Sequence, residues 1–225
     1  MIRNIKVITA SAYLSMFFLG VSATVIGAAA HNIGLSPFQI GLMIAVQNVG
    51  FTASVVVSGA LSDQYEKPKI LLVGSLVLAV AYLTFYLDDL FWLNLIIMFF
   101  IGAGIGTYEG VTDALLCEIH TKRQSLHINV NHFFVTFGAI MIALYLTFLQ
   151  VNWRNSVIQS SVVVLVLAAI FGMSRLPATE QQLGESYVAR LKILTRERRV
   201  VVHFMAITRA VGVDSGSIGL MSTFL

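Results

Sequence analysis

Charge is scarce in this chain. Only 11% of its 225 residues are Asp, Glu, Lys or Arg, against 57% hydrophobic ones, and the mean hydropathy is +0.85. Soluble domains carry roughly 25% charged residues. A charged globular surface is therefore excluded, although the length alone would allow one or two soluble domains. A bilayer suits this composition better. Cysteine is nearly missing too: Cys117 stands alone, which excludes an intrachain disulfide and a Cys-based zinc site. The chain also lacks a nucleophile–base set, metal-ligand spacing and any cofactor box, so neither an enzyme nor a cofactor is expected. The eight Met, the fifteen Phe and Cys117 read as lipid-facing or packing residues.

What is present is a series of long apolar runs. A membrane helix needs about 20 mostly apolar residues. Six stretches qualify: Val7–Ala30, Phe38–Leu61, Ile70–Leu87, Phe91–Leu116, Val130–Val151 and Val157–Met173, with a seventh from Val200 to Leu225. Short polar breaks separate them, among them SDQYEKPK and a stretch around HTKRQSLH. The longest break, Ser174–Arg199, is charged and suits an amphipathic helix. MIRNIK and Ala28-Ala29-Ala30 together imitate a cleaved signal. The apolar part is too long for that, and five more spans follow, so the first span is retained.

The basic residues give an orientation. With the N-terminus in the cytoplasm, twelve of the fourteen Lys and Arg fall on that side, in the N-terminus, the 63–69 and 122–123 loops and the 175–199 segment. Arg154 lies outside and Arg209 within the seventh span. A missed helix would scramble this alternation. The net charge of +3 and the pI near 9.1 thus reflect membrane orientation, and no nucleic acid is expected as a partner.

The loop GALSDQYEKPK at 59–69 joins spans two and three. Its Gly59, Leu61, Ser62, Asp63 and Lys67 resemble the loop motif of the major facilitator superfamily, with Gln64, Glu66 and Pro68 departing from it. Gly59 lets helix backbones approach, and Asp63 is placed to accept from amides at the start of the third helix. The resemblance implies a conformational latch formed by Gly59, Asp63 and Lys67. Span four, GAGIGTYEGVTDALL, and the stretch NVNHFFVTFGAI at 129–140 are similar to the fucose and glucose–galactose branch of that superfamily. The closing VGVDSGSIGLMSTFL resembles the branch's seventh helix. GAGIG has no strand before it and no βαβ context, so it reads as helix packing and not as a nucleotide loop.

Glu109 and Asp113 are four apart and share one helix face. Glu109 lies about 10 Å from the cytoplasmic end of its span, and an acid at that depth faces a cavity or a partner. Proton uptake there is feasible. The resemblance implies that Glu109 is the protonation and solute-contact site; a structural acid paired with a neighbouring side chain is the alternative. His132, with Asn129 and Asn131 at the cytoplasmic start of span five, suits a solute hydroxyl, a proton relay or an interhelical bond. Gln47 and Asn48 in span two suit either a hydroxylated solute or helix–helix bonding. The first span carries no acid, unlike fucose-type members, so substrate and stoichiometry do not transfer.

The expectation is an all-α, polytopic protein of the inner or plasma membrane. It has a six-helix bundle at 1–174, a cytoplasmic loop at 175–199 and the start of a seventh helix at 200–225. The resemblance implies a secondary transporter of a small polar, sugar-like solute, coupled to protons and working by alternating access. Drug or metabolite efflux and a non-transporting truncated protein are the rivals. Covering only the first half of a twelve-helix transporter, the chain is expected to recruit a complementary half or self-associate, and not to transport alone.

Overall fold

A computed structural model describes residues 4–148 and 152–176. The chain divides into two units, 1–177 and 178–225. The second lies outside the described residues, as do the expected 175–199 loop beyond Leu176, the seventh span, Arg209 and Asp214. The first unit is a bundle of six helices: α1 Ile5–Ile33, α2 Pro37–Ser62, α3 Lys67–Thr84, α4 Phe91–Ile119, α5 Gln124–Phe148 and α6 Trp153–Met173. Each is long and apolar enough to cross a membrane. Their outward faces carry Val49, Val57, Val80, Ile140 and Val166. Such a surface is stable against lipid, where only closed hydrogen-bonded elements such as helices can span.

Local sequence sets the turns. Gly34, at φ 78°, reverses the chain after α1. Ser36 and Gln39 then form a reciprocal cap, Ser36 N–H donating to Gln39 Oε1 (2.9 Å) and Gln39 N–H to Ser36 Oγ (3.3 Å), with Pro37 opening α2. Two helix starts differ from expectation by more than a turn: α6 opens at Trp153 instead of Val157, and α5 differs further. The stretch HTKRQSLH is not a loop throughout: the turn occupies only residues 120–123, and α5 starts at Gln124 instead of Val130. Hydropathy misses the first turns of α5 because they are polar, although the backbone is already helical.

Glycines seat two helix pairs against each other. On α4, a Cβ at Gly102 would overlap the Gln47 carbonyl oxygen of α2 and lie 2.9 Å from its carbon. Gly50 and Gly106 stand in the same relation to Phe99 and Phe51. Gly20 and Gly138 do the same between α1 and α5. Small residues allow such backbone approach, and in lipid this packing replaces the hydrophobic drive between helices. Gly59 is not one of these contacts: a Cβ there would meet only the Gly110 carbonyl oxygen, at 3.8 Å. The close approach there belongs to the facing Gly110 of α4, whose Cβ would lie 2.8 Å from the Val55 carbonyl oxygen and 3.3 Å from Gly59 N.

Buried polar groups pin the remaining helices. Tyr108 donates to Ser75 Oγ (2.8 Å), and Ser161 donates to the Ala79 carbonyl (2.8 Å). Ser22 on α1 bonds the Tyr82 hydroxyl on α3. In the turn between α3 and α4, Tyr86 has a positive φ of 52°. Asn94 Oδ1 accepts from its N–H (2.7 Å), and the Arg154 guanidinium from α6 donates to its carbonyl.

Candidate functional site

The polar groups of α4 and α5 meet about two to three helical turns from the turn at 120–123. Asp113 sits between two side chains of α5. Its Oδ1 accepts from Asn131 Nδ2 (2.8 Å), and its Oδ2 lies 3.0 Å from His132 Nε2, an ion pair when the imidazole is protonated. Asn131 Nδ2 also donates to Thr112 Oγ1 (2.9 Å). Asn131 is fully buried, and its Oδ1 has no partner among the described residues. Glu109 lies one turn deeper on α4, half-buried, near enough to interact electrostatically with both His132 and Asp113. Three titratable groups on two membrane-length helices are thus gathered beside Asn131. Such a cluster can hold a proton, pass it along, and hydrogen-bond a hydroxyl.

The other candidates separate from this cluster. Asn129 is exposed, two residues from Asn131 and off its face; at about 100° per residue the neighbouring Asn131 takes the contact that Asn129 does not. Gln47 is buried, and its Nε2 donates to the Ser22 carbonyl of α1 (2.9 Å), which is a helix–helix bond. Asn48, the next residue, is exposed.

At the loop motif, Asp63 is exposed and ends α2; its carboxylate makes no hydrogen bond among the described residues. The start of α3 has no side-chain cap, so the expected Asp63 bond to its amides is not formed. Lys67 instead pairs with Glu118 near the end of α4 (2.7 Å), and Lys69 with Glu66 (3.0 Å). Sequence reasoning missed Glu118, because nothing local marks an acid that meets a base about fifty residues earlier. Lys67 and Glu118 are only about one-fifth and one-quarter exposed. Reversing either charge alone should lower stability by about 1 kcal/mol, and the double swap Lys67→Glu with Glu118→Lys should recover most of it. Melting temperatures of the four proteins in detergent decide this; equal melting of single and double variants would show that the pair contributes nothing.

A second missed group is at the 120–123 turn, where the HTKRQSLH segment folds back so that His120 and His127 stack. Elsewhere, a cavity of about 390 Å³ between α1, α5 and α6 is lined by Phe17, Phe18, Phe137, Tyr145, Ser156 and Gln159. Among the described residues no group of three or more His, Cys, Asp or Glu is arranged to hold a metal.

Six membrane-length helices with a polar cluster inside define a multi-pass membrane protein. Residues 7–225 match the Major Facilitator Superfamily, and the chain belongs to that family of membrane transporters of small solutes. The match is to the superfamily and does not extend to the fucose and glucose–galactose branch. No curated protein matches the chain.

Proposed function

We propose that the protein is a proton-coupled secondary transporter of a small hydroxylated solute, working by alternating access from the cell's inner or plasma membrane with its N-terminus in the cytoplasm. The observation that carries this reading is the Glu109–Asp113–His132 cluster beside the unpartnered Asn131 Oδ1. Glu109, which makes no hydrogen bond among the described residues, takes the coupling proton. Asp113 and His132 form a relay towards the cytoplasm, and Asn131 Oδ1 accepts from a solute hydroxyl. A sugar satisfies that acceptor and the acids together. The loop of Gly59, Asp63 and Lys67 acts as the latch, its Lys67–Glu118 pair holding α3 to α4 in one of the two states. In this superfamily the site lies between two bundles that rock against each other, so a complementary bundle or a second copy supplies the opposing wall.

Cells expressing the chain should accumulate a radiolabelled hexose from a panel when a pH gradient is imposed. Glu109→Gln should abolish accumulation and leave exchange of the same sugar across the membrane. Crosslinking of the same cells reports which second bundle completes the particle. Equal gradient-driven accumulation by wild type and Glu109→Gln, or none by either, overturns the reading. A second reading, efflux of an apolar drug or metabolite, is favoured by the aromatic lining of the α1–α5–α6 cavity. In that case Phe137→Ala lowers transport of an apolar dye, whereas hexose accumulation is absent.

A further inference from the structure

His120 and His127 have no part in the mechanism above. His120 ends α4 and His127 lies in the first turns of α5. Their rings stack with centroids 3.6 Å apart and planes 9° from parallel. Each ring holds α1 through one bond: Thr9 Oγ1 to His120 Nε2 (2.7 Å), and Tyr13 OH to His127 Nδ1 (2.6 Å). The Tyr13 ring continues the stack onto Phe134.

These contacts fix the protons. The Thr9 hydroxyl donates to the Ile5 carbonyl (2.8 Å), so Thr9 Oγ1 is the acceptor in its bond to His120. His120 Nε2 therefore carries a proton, and a further proton can enter only at its Nδ1. On His127, Nδ1 accepts from Tyr13 in the neutral tautomer protonated at Nε2. Charging that ring obliges the tyrosine hydroxyl to accept instead.

The elements that carry the stack bear charged groups among the described residues. On α1, Lys6 is exposed and Tyr13 is the titratable contact. On α4, Glu118 is engaged by Lys67 of α3. In the turn, Lys122 and Arg123 are exposed and add positive charge. On α5, the next titratable group, His132, faces Asp113. Glu118 aside, no carboxylate among the described residues bonds either stacked ring.

We propose that the stacked pair is a proton-binding site that clasps the start of α1 to the α4–α5 turn while it holds at most one added proton, and releases α1 when it takes a second. Two imidazolium rings face to face at this spacing repel directly, and parting α1 from α5 or opening the turn relieves the repulsion. Burial, followed by the charge on His127, lowers the His120 pKa from its ordinary value of 6.5. The sign follows: the stack has its full stability above that value and loses it as pH falls below. The site senses cytoplasmic acidity if the N-terminus lies there, and it is separate from the Glu109 cluster deeper in α4.

The test uses the full chain in nanodiscs, with Cys117→Ser and spin labels at Ala10→Cys and Ser125→Cys, both exposed positions. The interlabel distance should shift to longer values between pH 8 and pH 5. His120→Phe or His127→Asn, which leave one ionisable ring, should remove the shift, and Glu109→Gln should keep it. That last comparison separates failure here from failure of the transport reading. No shift in the wild type, or a shift persisting in either histidine variant, overturns the proposal. Should the variants aggregate, histidine ¹⁵N spectra of the unsubstituted chain decide. Two separated protonation steps for the pair support the clasp, and a single shared step refutes it.

Discussion

Gly102→Val should yield little or no folded, monodisperse protein. The residue lies where the α4 backbone crosses α2, and a Cβ there would overlap the Gln47 carbonyl oxygen and approach Phe51 N to 3.0 Å. Both neighbours are backbone, so no rotamer change makes room. Overpacking a core with flexible neighbours costs about 1–3 kcal/mol. Here the helix must move as a unit, which also breaks the registration of Gly50 and Gly106 along the same seam and the Gln47–Ser22 bond beside it. The loss should meet or exceed the top of that range, a large part of the roughly 5–15 kcal/mol that holds a folded protein together. Gly172→Ala is the control: its Cβ would meet only Leu72 methyl groups at 3.5 Å, an ordinary contact. Size-exclusion profiles and melting in detergent give the answer. A Gly102→Val protein that elutes and melts like the control would show that the two backbones are not in contact.

Asn94→Leu should be the next most damaging change. Asn94 is fully buried and serves the turn between α3 and α4 from both ends of its amide. Oδ1 accepts from Tyr86 N–H (2.7 Å), while Nδ2 donates to the carbonyls of Asp88 (2.7 Å) and Leu90 (3.1 Å). Leucine fills the volume and leaves the Tyr86 N–H and the Asp88 carbonyl without these partners; Leu90 keeps the backbone bond from Asn94 N–H (3.1 Å). The Asp88 carbonyl belongs to an exposed residue and adds little, so the loss is about 1–3 kcal/mol for the orphaned, buried Tyr86 N–H. It falls on a residue already held at positive φ, a conformation that L side chains adopt only when their surroundings enforce it. Asn94→Asp keeps the acceptor for Tyr86 and should be milder. Thermal melts should therefore rank wild type above Asn94→Asp above Asn94→Leu. If Asn94→Leu melts with wild type, the turn is held by Arg154 and by packing alone.

The six spans were legible because lipid leaves few alternatives: a long apolar run must become a helix, and its ends need only agree within a turn. The glycines of span four were likewise readable as packing residues, since their small size matters whichever helix they meet. Which helix they meet was not readable, nor that the approach at Gly59 depends on the facing Gly110 of α4. The site divides along the same line. Glu109 and Asp113 share a face by helical period alone. Choosing Asn131 over Asn129 requires the rotation of α5 against α4, which a single sequence does not encode locally. Gln47 suited a solute or, as the default, helix–helix bonding, and the structure places its Nε2 on the Ser22 carbonyl. The histidine stack was hidden by a different mistake, that of reading a polar segment as a loop. Once α5 begins at Gln124, His127 turns back over His120.

The bond from Arg154 to the Tyr86 carbonyl joins residues 68 positions apart, and this separation has a meaning during synthesis. Helices leave the ribosome in order, N-terminal first, so the turn between α3 and α4 emerges long before its arginine exists. The same holds for Ser161, which reaches back 82 positions to Ala79. Throughout that interval α3 presents an unfinished flank to the lipid or to whatever insertion machinery shelters it. The sixth helix is therefore the piece that closes the bundle, and a nascent chain halted before it would carry α3 and α4 inserted but unfastened.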